Sequence, residues 1–600
     1  MLEGIIQRSG RRLWWACLSL LSVISIVAYS PSFRGDGIWD DKGVLNGAII
    51  GGGKSLVSCF TSPFFGHYYR PLVSASFFFE LHSRLAPTLL MHLDNALLHV
   101  LTIWAVAYLV LAAGGGKRLA VLAAALFAFQ PCQVMAVSWI SGRTDSLSCL
   151  FSVVFLWALV RWCKERRAGW LGLTCASYFA AILTKEQTAV LLFAVPFTEA
   201  AFGQKRSWLK SSAATAAPLV ALAGVFGALY VTYNTNPSPG QPPGAGAVLA
   251  MAGETAAHYA LLLVVPTMGN LLKATLETYQ SVGWAALGWA ILALSVAGTV
   301  YAWKRNRLVG WFAVVALISY LPVANLMPVP SLPVSAYRLG CMGPAFACLL
   351  AVVALKLFES RTKALGFLGV AYIAWGAVLS YGASTYLTDE ATFFARSHEA
   401  DPQGIVVNQN LAEVYQFNRR WDLSKQVTDE MLAYLFPGKR WTDPTVVRQL
   451  TLTDPKVAEL IHRNQGDRAV PAEVVAKVVA VRAPDLAMTG DMQGAKAALE
   501  ASVALNPRVS ESWANLGLVY SRSKDARWRD CFVKVLELKP GLEMPARLLA
   551  FDDEKQGRPV QAESVLRTAL AANPSSSAMS QDLAKLERRA NAIKTVYQPH

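Results

Sequence analysis

Residues 89–113 read LLMHLDNALLHVLTIWAVAYLVLAA. A stretch this long and this apolar is typical of a helix that crosses a lipid bilayer, which needs about 20 such residues. Comparable stretches recur up to about residue 386, and beyond it none reaches the ~18 residues that a membrane helix requires. The sequence therefore predicts an all-α protein with a polytopic membrane domain, residues 1–386, followed by a soluble domain, residues 387–600.

Composition supports a membrane protein and excludes several other classes. Of the 600 residues, 54% are hydrophobic and 16% are charged, whereas soluble domains average about 45–50% and about 25%. A plain soluble enzyme and a disordered protein are thereby excluded. The nine cysteines include no CxxC pair, which argues against a zinc site or a disulfide scaffold. Much of the net charge of +15 lies in short clusters between apolar segments, so we expect no nucleic-acid partner.

Hydropathy predicts about eleven transmembrane helices. The first follows three arginines and resembles a signal peptide, but because ten more spans follow we interpret it as a retained anchor. Two spans, 168–183 and 188–203, are short enough to be tilted or partly buried. The predicted spans are 13–30, 89–113, 119–137, 146–163, 168–183, 188–203, 212–233, 282–303, 308–326, 338–357 and 364–386.

The basic clusters between spans predict the orientation. Lysine and arginine concentrate in cytoplasmic loops, and a cytoplasmic N-terminus places all of these clusters inside. This requires residues 255–272 to be an interfacial or re-entrant element on the outer side. The odd number of spans then places residues 387–600 outside, beyond the inner membrane of a bacterium or in the lumen of the endoplasmic reticulum.

The soluble domain carries a helical repeat. Asn506-Pro507, Lys539-Pro540 and Asn573-Pro574 recur at intervals of 33 and 34 residues, the period of tetratricopeptide repeats. Residues 513–520 contain the W-x2-L-G-x2-Y pattern of that repeat. A weaker pair of X-Pro steps at 401–402 and 436–437 indicates one earlier repeat. Such α-solenoids bind extended peptides or partner proteins on their concave surfaces, although repeats also serve only to stabilise or dimerise a chain.

The chemistry-bearing residues fall in the predicted outer loops. The long first loop, residues 31–88, contains the adjacent pair Asp40 and Asp41. A single charge near a span is more often an edge anchor, but three basic residues at one membrane depth with an acidic pair form a candidate site for a lipid-linked phosphate. A further candidate in the first loop is Arg70. His92, Asn95 and His99 lie on one face of the helix that follows. The remaining candidates, in later loops, are Arg143, Asp145, Lys185, Glu186, Tyr337 and Arg338.

In this order the motifs WDD, YRPL, H-x2-N-x3-H, W-I-S-G-R-x-D, T-K-E, P-x-x-N-L, YR-L and the repeats resemble a known family. It comprises the transmembrane-and-tetratricopeptide-repeat protein O-mannosyltransferases of the type C glycosyltransferase (GT-C) superfamily, and the resemblance covers residues 13–600. It implies transfer of mannose or another hexose, with inversion, from a polyprenyl-phosphate-linked donor to Ser or Thr hydroxyls of an extracytoplasmic protein.

The resemblance also implies roles for individual residues. Asp40 or Asp41 would be the base that deprotonates the acceptor hydroxyl, and Arg338, Arg143 and Lys185 would stabilise the leaving phosphate. Glu186 would orient Lys185, and Arg70 would shape the first loop. The repeats would bind the acceptor, with Trp513 and Tyr520 as the candidate residues. Further supporting residues of the site would be His92, Asn95, Asp145 and Tyr337.

The chain departs from the family at two carboxylates. The family has H-P-x-H-x-E in the second outer turn, where this chain has Gln130–Met135, and A-E-R where this chain has Ala336-Tyr337-Arg338. These losses leave the sugar and any divalent metal open. A glycosyltransferase with a glycan or lipid acceptor, and a non-enzymatic membrane scaffold that presents repeats, are the alternative functions.

Overall fold

The computed structural model describes residues 2–45, 55–65, 68–83, 86–203, 208–234, 245–267, 282–324, 343–359, 363–465, 470–573 and 576–596. Within these ranges the chain forms helices and no strand, with one isolated bridge between Phe64 and Tyr68. It divides into two compact units, Met1–Pro402 and Gln403–His600. The predicted all-α class is confirmed, and the first unit continues past the predicted boundary at residue 386.

The first unit is a bundle of apolar helices. Among its described residues, five short 3-10 helices interrupt it, at Ser30–Arg34, Pro131–Gln133, Ile140–Gly142, Glu186–Phe193 and Leu321–Val323. Its α-helices are Leu2–Tyr29, Asp41–Leu45, Ser58–Thr61, Pro71–Leu81, Pro87–Ala113, Gly116–Ala128, Val134–Val137, Arg143–Glu165, Ala168–Thr184, Ala194–Phe202, Trp208–Tyr233, Ala245–Val264, Val282–Arg305, Arg307–Tyr320, Gly343–Glu359, Lys363–Tyr386 and Glu390–Ala400.

Membrane-spanning length is reached by six helices of the described chain. A seventh span results if Gly116–Ala128 and Pro131–Val137, which meet at 56°, form one bent crossing. Each of the eleven predicted spans overlaps a described helix, but several are shorter than a bilayer crossing, so the number eleven remains a prediction. The six are Arg12–Arg34, Pro87–Ala113, Ile140–Glu165, Trp208–Tyr233, Val282–Arg305 and Gly366–Tyr386.

Two helices in the bundle centre are more buried than the others. The spans Pro87–Ala113 and Ile140–Glu165 are each 61% buried within the protein, whereas Val282–Arg305 is only 6% buried. The alanine-rich helix Gly116–Ala128 packs against the first of them, because small side chains let helix backbones approach closely. The polar side chains at one end of these two helices, among them Asn95 and Arg143, are buried as well.

The second unit is a stack of antiparallel helix pairs, as the repeat period predicts. The repeat pattern requires glycine at position 517 because the paired helix lies close: a Cβ there would be 2.6 Å from the Phe532 ring. The helices are Ile405–Phe417, Trp421–Leu435, Pro444–Thr453, Pro455–Gln465, Pro471–Met488, Met492–Leu505, Ser510–Arg522, Trp528–Leu538, Glu543–Lys555, Pro559–Ala572 and Ser577–Val596. The predicted arrangement of a helix bundle followed by an α-solenoid is confirmed.

Candidate active site

Asp41 begins the short helix Asp41–Leu45 and is fully buried. One carboxylate oxygen accepts hydrogen bonds from the backbone N–H and hydroxyl of Ser141, at 2.8 and 2.6 Å. The other accepts from the backbone N–H of Ile38 at 2.9 Å. Burial raises the pKa of Asp41 to about 7, although these three hydrogen bonds lower it. Asp41 therefore attaches the first loop to the turn at residues 138–145, the predicted second outer turn.

Asp40 is placed differently from its neighbour. Its side chain is partly exposed, and no described residue donates a hydrogen bond to its carboxylate. Burial alone raises its pKa to about 6. A carboxylate that is ionised near neutral pH and has unused lone pairs can accept a proton from a hydroxyl group.

Two stacked indoles hold the loop against the turn. Trp39 lies on Trp139 with ring centroids 5.8 Å apart and an interplanar angle of 22°. The indole N–H of Trp139 donates to the Ile38 carbonyl at 3.3 Å. In the turn itself, a Cβ on Gly142 would lie 2.1 Å from the Met135 carbonyl oxygen, so only glycine allows this close chain approach.

Arg143, the next polar residue of the turn, is almost fully buried and its guanidinium is engaged inside the protein. It forms an ion pair with Glu80 at 2.6 Å and donates to the Asn95 side-chain oxygen at 2.8 Å and the Met91 carbonyl at 2.7 Å. Asn95 in turn donates to the Trp139 carbonyl at 2.9 Å. Arg143 thus connects the first-loop helix Pro71–Leu81 to two spans.

Lys185 and Glu186 each contact a different partner. The Lys185 ammonium lies 2.5 Å from Asp145. Glu186 accepts two hydrogen bonds from Arg70, at 3.0 and 3.3 Å. Burial pushes the pKa of Glu186 upward, but the adjacent Arg70 guanidinium outweighs this effect and holds the pKa below its ordinary value. The described contact of the Lys185 ammonium is therefore with Asp145, whereas the resemblance implied that Glu186 would orient it. Arg70 attaches the first loop to Glu186.

The second outer turn is the centre of this arrangement. Ser141, Arg143 and Asp145 alternate along the chain and contact Asp41, Glu80 and Lys185 respectively. The structure thereby links the predicted residues Asp41, Asn95, Arg143, Asp145, Lys185, Glu186 and Arg70, and Asp40 adjoins this network as the chain neighbour of Asp41. Tyr337 and Arg338 lie outside the described residues.

The predicted histidines lie on the same helix as Asn95, Pro87–Ala113, and His92 is close enough to Arg143 to interact with its charge. Both ring nitrogens of His92 are buried and have no hydrogen-bond partner among the described residues. A ring nitrogen of His99 lies 3.2 Å from the Ala128 carbonyl oxygen. The described part of the chain contains no group of three or more His, Cys, Asp or Glu that could hold a metal ion.

In the repeat unit, Trp513 and Tyr520 contribute to helix packing. The Tyr520 side chain is buried, and its hydroxyl donates to Glu500 at 2.6 Å. The indole N–H of Trp513 donates to the Pro507 carbonyl at 2.9 Å. The contact of Tyr520 joins two neighbouring helices, and that of Trp513 holds the loop before its own helix; acceptor binding by these two residues remains a prediction.

Sequence reasoning missed three residues of the network. Ser141 lies within the quoted W-I-S-G-R motif, but its small polar side chain gave no separate signal. Glu80 is a lone acid in the apolar run Phe77–Leu81, which is itself a sign of a buried, paired charge. Glu390, which accepts a hydrogen bond from the Trp39 backbone, lies some 350 residues away and gave no local signal.

Comparison with known proteins supports a glycosyltransferase. Residues 75–230 match the family model described as dolichyl-phosphate-mannose-protein mannosyltransferase. The protein O-mannosyl-transferase Tmtc1 of Drosophila melanogaster is 31% identical over 190 residues, which are 30% of this chain and 22% of that protein. A protein O-mannosyl-transferase of Caenorhabditis elegans is 29% identical over 157 residues, 23% of this chain and 22% of that protein.

The chain spans about a fifth of the length of these relatives. Among solved structures, an Archaeoglobus fulgidus oligosaccharyltransferase covers 69% of this chain and 58% of its own, at 14% identity and a TM-score of 0.35. The match to a tetratricopeptide-repeat protein of Thermus thermophilus covers 37% of this chain and 95% of that protein, at 17% identity and a TM-score of 0.22. The sequence matches confirm the predicted resemblance to O-mannosyltransferases and support the prediction of a glycosyltransferase.

Proposed function

We propose that the protein is an integral membrane glycosyltransferase. It transfers mannose or another hexose from a polyprenyl-phosphate-linked donor to Ser or Thr hydroxyls of proteins on the extracytoplasmic face. The observation that carries the proposal is the placement of Asp40, a partly exposed carboxylate to which no described residue donates a hydrogen bond. It directly precedes Asp41, which is bonded to the turn that carries the paired charges. The match of residues 75–230 to a mannosyltransferase family supports the same reaction class.

In this proposal Asp40, and not Asp41, is the general base. Asp41 has three donors on its carboxylate and is fully buried, so an acceptor hydroxyl cannot reach it without breaking those bonds. Asp40 takes the proton of the hydroxyl as its oxygen attacks the anomeric carbon from the face opposite the phosphate. The configuration of the sugar is then inverted, and polyprenyl phosphate leaves.

Lys185 and Arg338 stabilise the phosphate that accumulates charge as it leaves. The contacts of Arg143 with Glu80, Asn95 and Met91 favour a structural role for that residue, which is to hold the first loop. Asp145 keeps the Lys185 ammonium in place near the turn. The site faces the periplasm of a bacterium or the lumen of the endoplasmic reticulum, with the N-terminus in the cytoplasm and the repeats binding the protein acceptor.

The test is transfer of label from polyprenyl-phosphate [3H]mannose to extracytoplasmic proteins by the purified full-length chain. We expect Asp40→Asn to reduce transfer by about 10²–10⁴-fold, the usual contribution of a general base. Asp36→Asn is the matched control, because that aspartate is exposed in the same loop, and it should retain activity. Full activity of Asp40→Asn in a correctly inserted protein would exclude Asp40 as the base.

A further inference from the structure

The first loop is attached at a second place, the N-terminus of helix Glu390–Ala400. One carboxylate oxygen of Glu390 accepts the backbone N–H of Trp39 at 3.1 Å, and the other pairs with the Lys42 ammonium. Trp39 and Lys42 directly flank Asp40 and Asp41 in the sequence. A single side chain from a distant helix therefore contacts both sides of the acidic pair.

The same helix makes two further kinds of contact with this segment. The ring of Phe394, one turn after Glu390 and so on the same helix face, meets Trp39 edge-on with ring centroids 6.0 Å apart. Just before the helix, the Thr388 carbonyl accepts the backbone N–H of Asp36 at 3.2 Å. Backbone, ring and ionic contacts thus act together on residues 36–42.

The backbone of Trp39 shows why this support matters. Its φ of 53° lies in the left-handed region, which is unfavourable for a large side chain and persists only when surrounding contacts maintain it. The hydrogen bond to Glu390 acts on the N–H of this residue, which directly precedes Asp40. A relaxed backbone at Trp39 would redirect the chain at Asp40, while Asp41 would remain held by Ser141.

We propose that Glu390 is a positioning residue for the transfer reaction. By holding Trp39 and Lys42, it fixes the direction in which the Asp40 carboxylate faces the acceptor hydroxyl. This inference rests on the proposed function, because it assigns Glu390 a role in aligning the proposed base.

Three variants of the full-length chain test the inference. Glu390→Ala removes both contacts, whereas Glu390→Gln keeps an oxygen for the Trp39 N–H but loses the ion pair with Lys42. Glu399→Ala is the matched control, since Glu399 lies on the same helix, is 59% exposed, and pairs with Arg396 at 2.6 Å.

Hydrogen exchange of peptides covering residues 35–45 measures the attachment without any activity assay. We expect faster exchange of these amides in Glu390→Ala, an intermediate rate in Glu390→Gln and the wild-type rate in Glu399→Ala. Unchanged exchange in Glu390→Ala would show that this carboxylate does not hold the loop, and would overturn the inference whatever the protein's activity.

Kinetics with polyprenyl-phosphate [3H]mannose then measure the consequence for the reaction. We expect kcat to fall by about tenfold or more in Glu390→Ala, as misplacement of a reacting group does, with KM for the donor unchanged and partial rescue in Glu390→Gln. Faster hydrogen exchange in Glu390→Ala together with a wild-type kcat would overturn the positioning role, while the proposed function would stand. Absence of transfer by the wild-type chain would instead contradict the proposed function, and the exchange result would still decide whether Glu390 holds the loop.

Discussion

At the scale of single residues, the two adjacent aspartates are separated by their surroundings and not by their chemistry. The Asp41 carboxylate is buried and accepts three hydrogen bonds, whereas no described residue donates a hydrogen bond to the Asp40 carboxylate. Identical side chains one position apart are thereby given different tasks, one holding the loop and the other available to a substrate. Their raised pKa values make this difference testable by pH.

The rate of sugar transfer should fall in mildly acidic solution. Burial raises the pKa of Asp40 to about 6 and that of Asp41 to about 7, and a base is active only when deprotonated. Because Asp40 is the proposed base, the acid limb of the rate profile should have an apparent pKa of about 6. The measurement is kcat against pH at saturating donor.

Intrinsic tryptophan fluorescence across the same pH range shows whether the protein stays folded. An acid limb near 4, the ordinary range of an aspartate, would contradict the environment described for Asp40.

At the scale of elements, the ion pair between Arg143 and Glu80 joins the first-loop helix to the bundle. Both side chains are almost fully buried, at 1% and 3% exposure, and removing one partner of such a pair costs about 3–5 kcal/mol. We expect Arg143→Met to lower the thermal unfolding midpoint of the full-length protein clearly. The double variant with Glu80→Gln should lose less, because it leaves no unpaired buried charge.

The control for this prediction is Arg396→Met, which removes an exposed pair and should change stability by less than about 0.5 kcal/mol. A loss in the double variant equal to the sum of the losses in Arg143→Met and Glu80→Gln alone would show that the two side chains are not energetically coupled.

The elements also show what the sequence could and could not predict. Apolar length identified the helices, and the 33- and 34-residue spacing identified the repeats, because both signals are local and periodic. Hydropathy could not reveal that the segment predicted as span 188–203 is divided between Glu186–Phe193 and Ala194–Phe202. Apolar side chains suit a buried short helix as well as a membrane crossing.

The partners of the charged residues were beyond sequence reasoning for a different reason. Arg143 was expected at a phosphate, and its engagement by Glu80 depends on how the helix Pro71–Leu81 packs against the spans. Likewise, the Asp145–Lys185 and Arg70–Glu186 contacts depend on which loops meet in space. The sequence identified the chemistry-bearing residues, while tertiary packing decided which of them remain available to a substrate.

At the scale of the whole molecule, the proposed orientation places the repeats on the same side of the membrane as Asp40. A cysteine introduced at Ser523, an exposed residue of the second unit, should react with a membrane-impermeant maleimide in intact cells. A cysteine at Lys117, which is exposed in a basic loop, should react only after permeabilisation, because that loop is predicted to be cytoplasmic.

The wild-type chain with its own cysteines is the blank for both labelling reactions. Labelling at position 117 but not at 523 in intact cells would reverse the orientation and place the candidate site in the cytoplasm.

The central claim is protein glycosylation by this chain through its first-loop acidic pair. The most direct measurement is the intact mass of extracytoplasmic proteins from cells carrying the wild-type chain or the Asp40→Asn/Asp41→Asn variant, with membrane insertion of both confirmed. The account predicts that at least one protein loses the mass of one or more hexoses in the variant, which identifies the acceptor and the size of the sugar. Identical masses in both strains, with the variant correctly inserted, would contradict the claim.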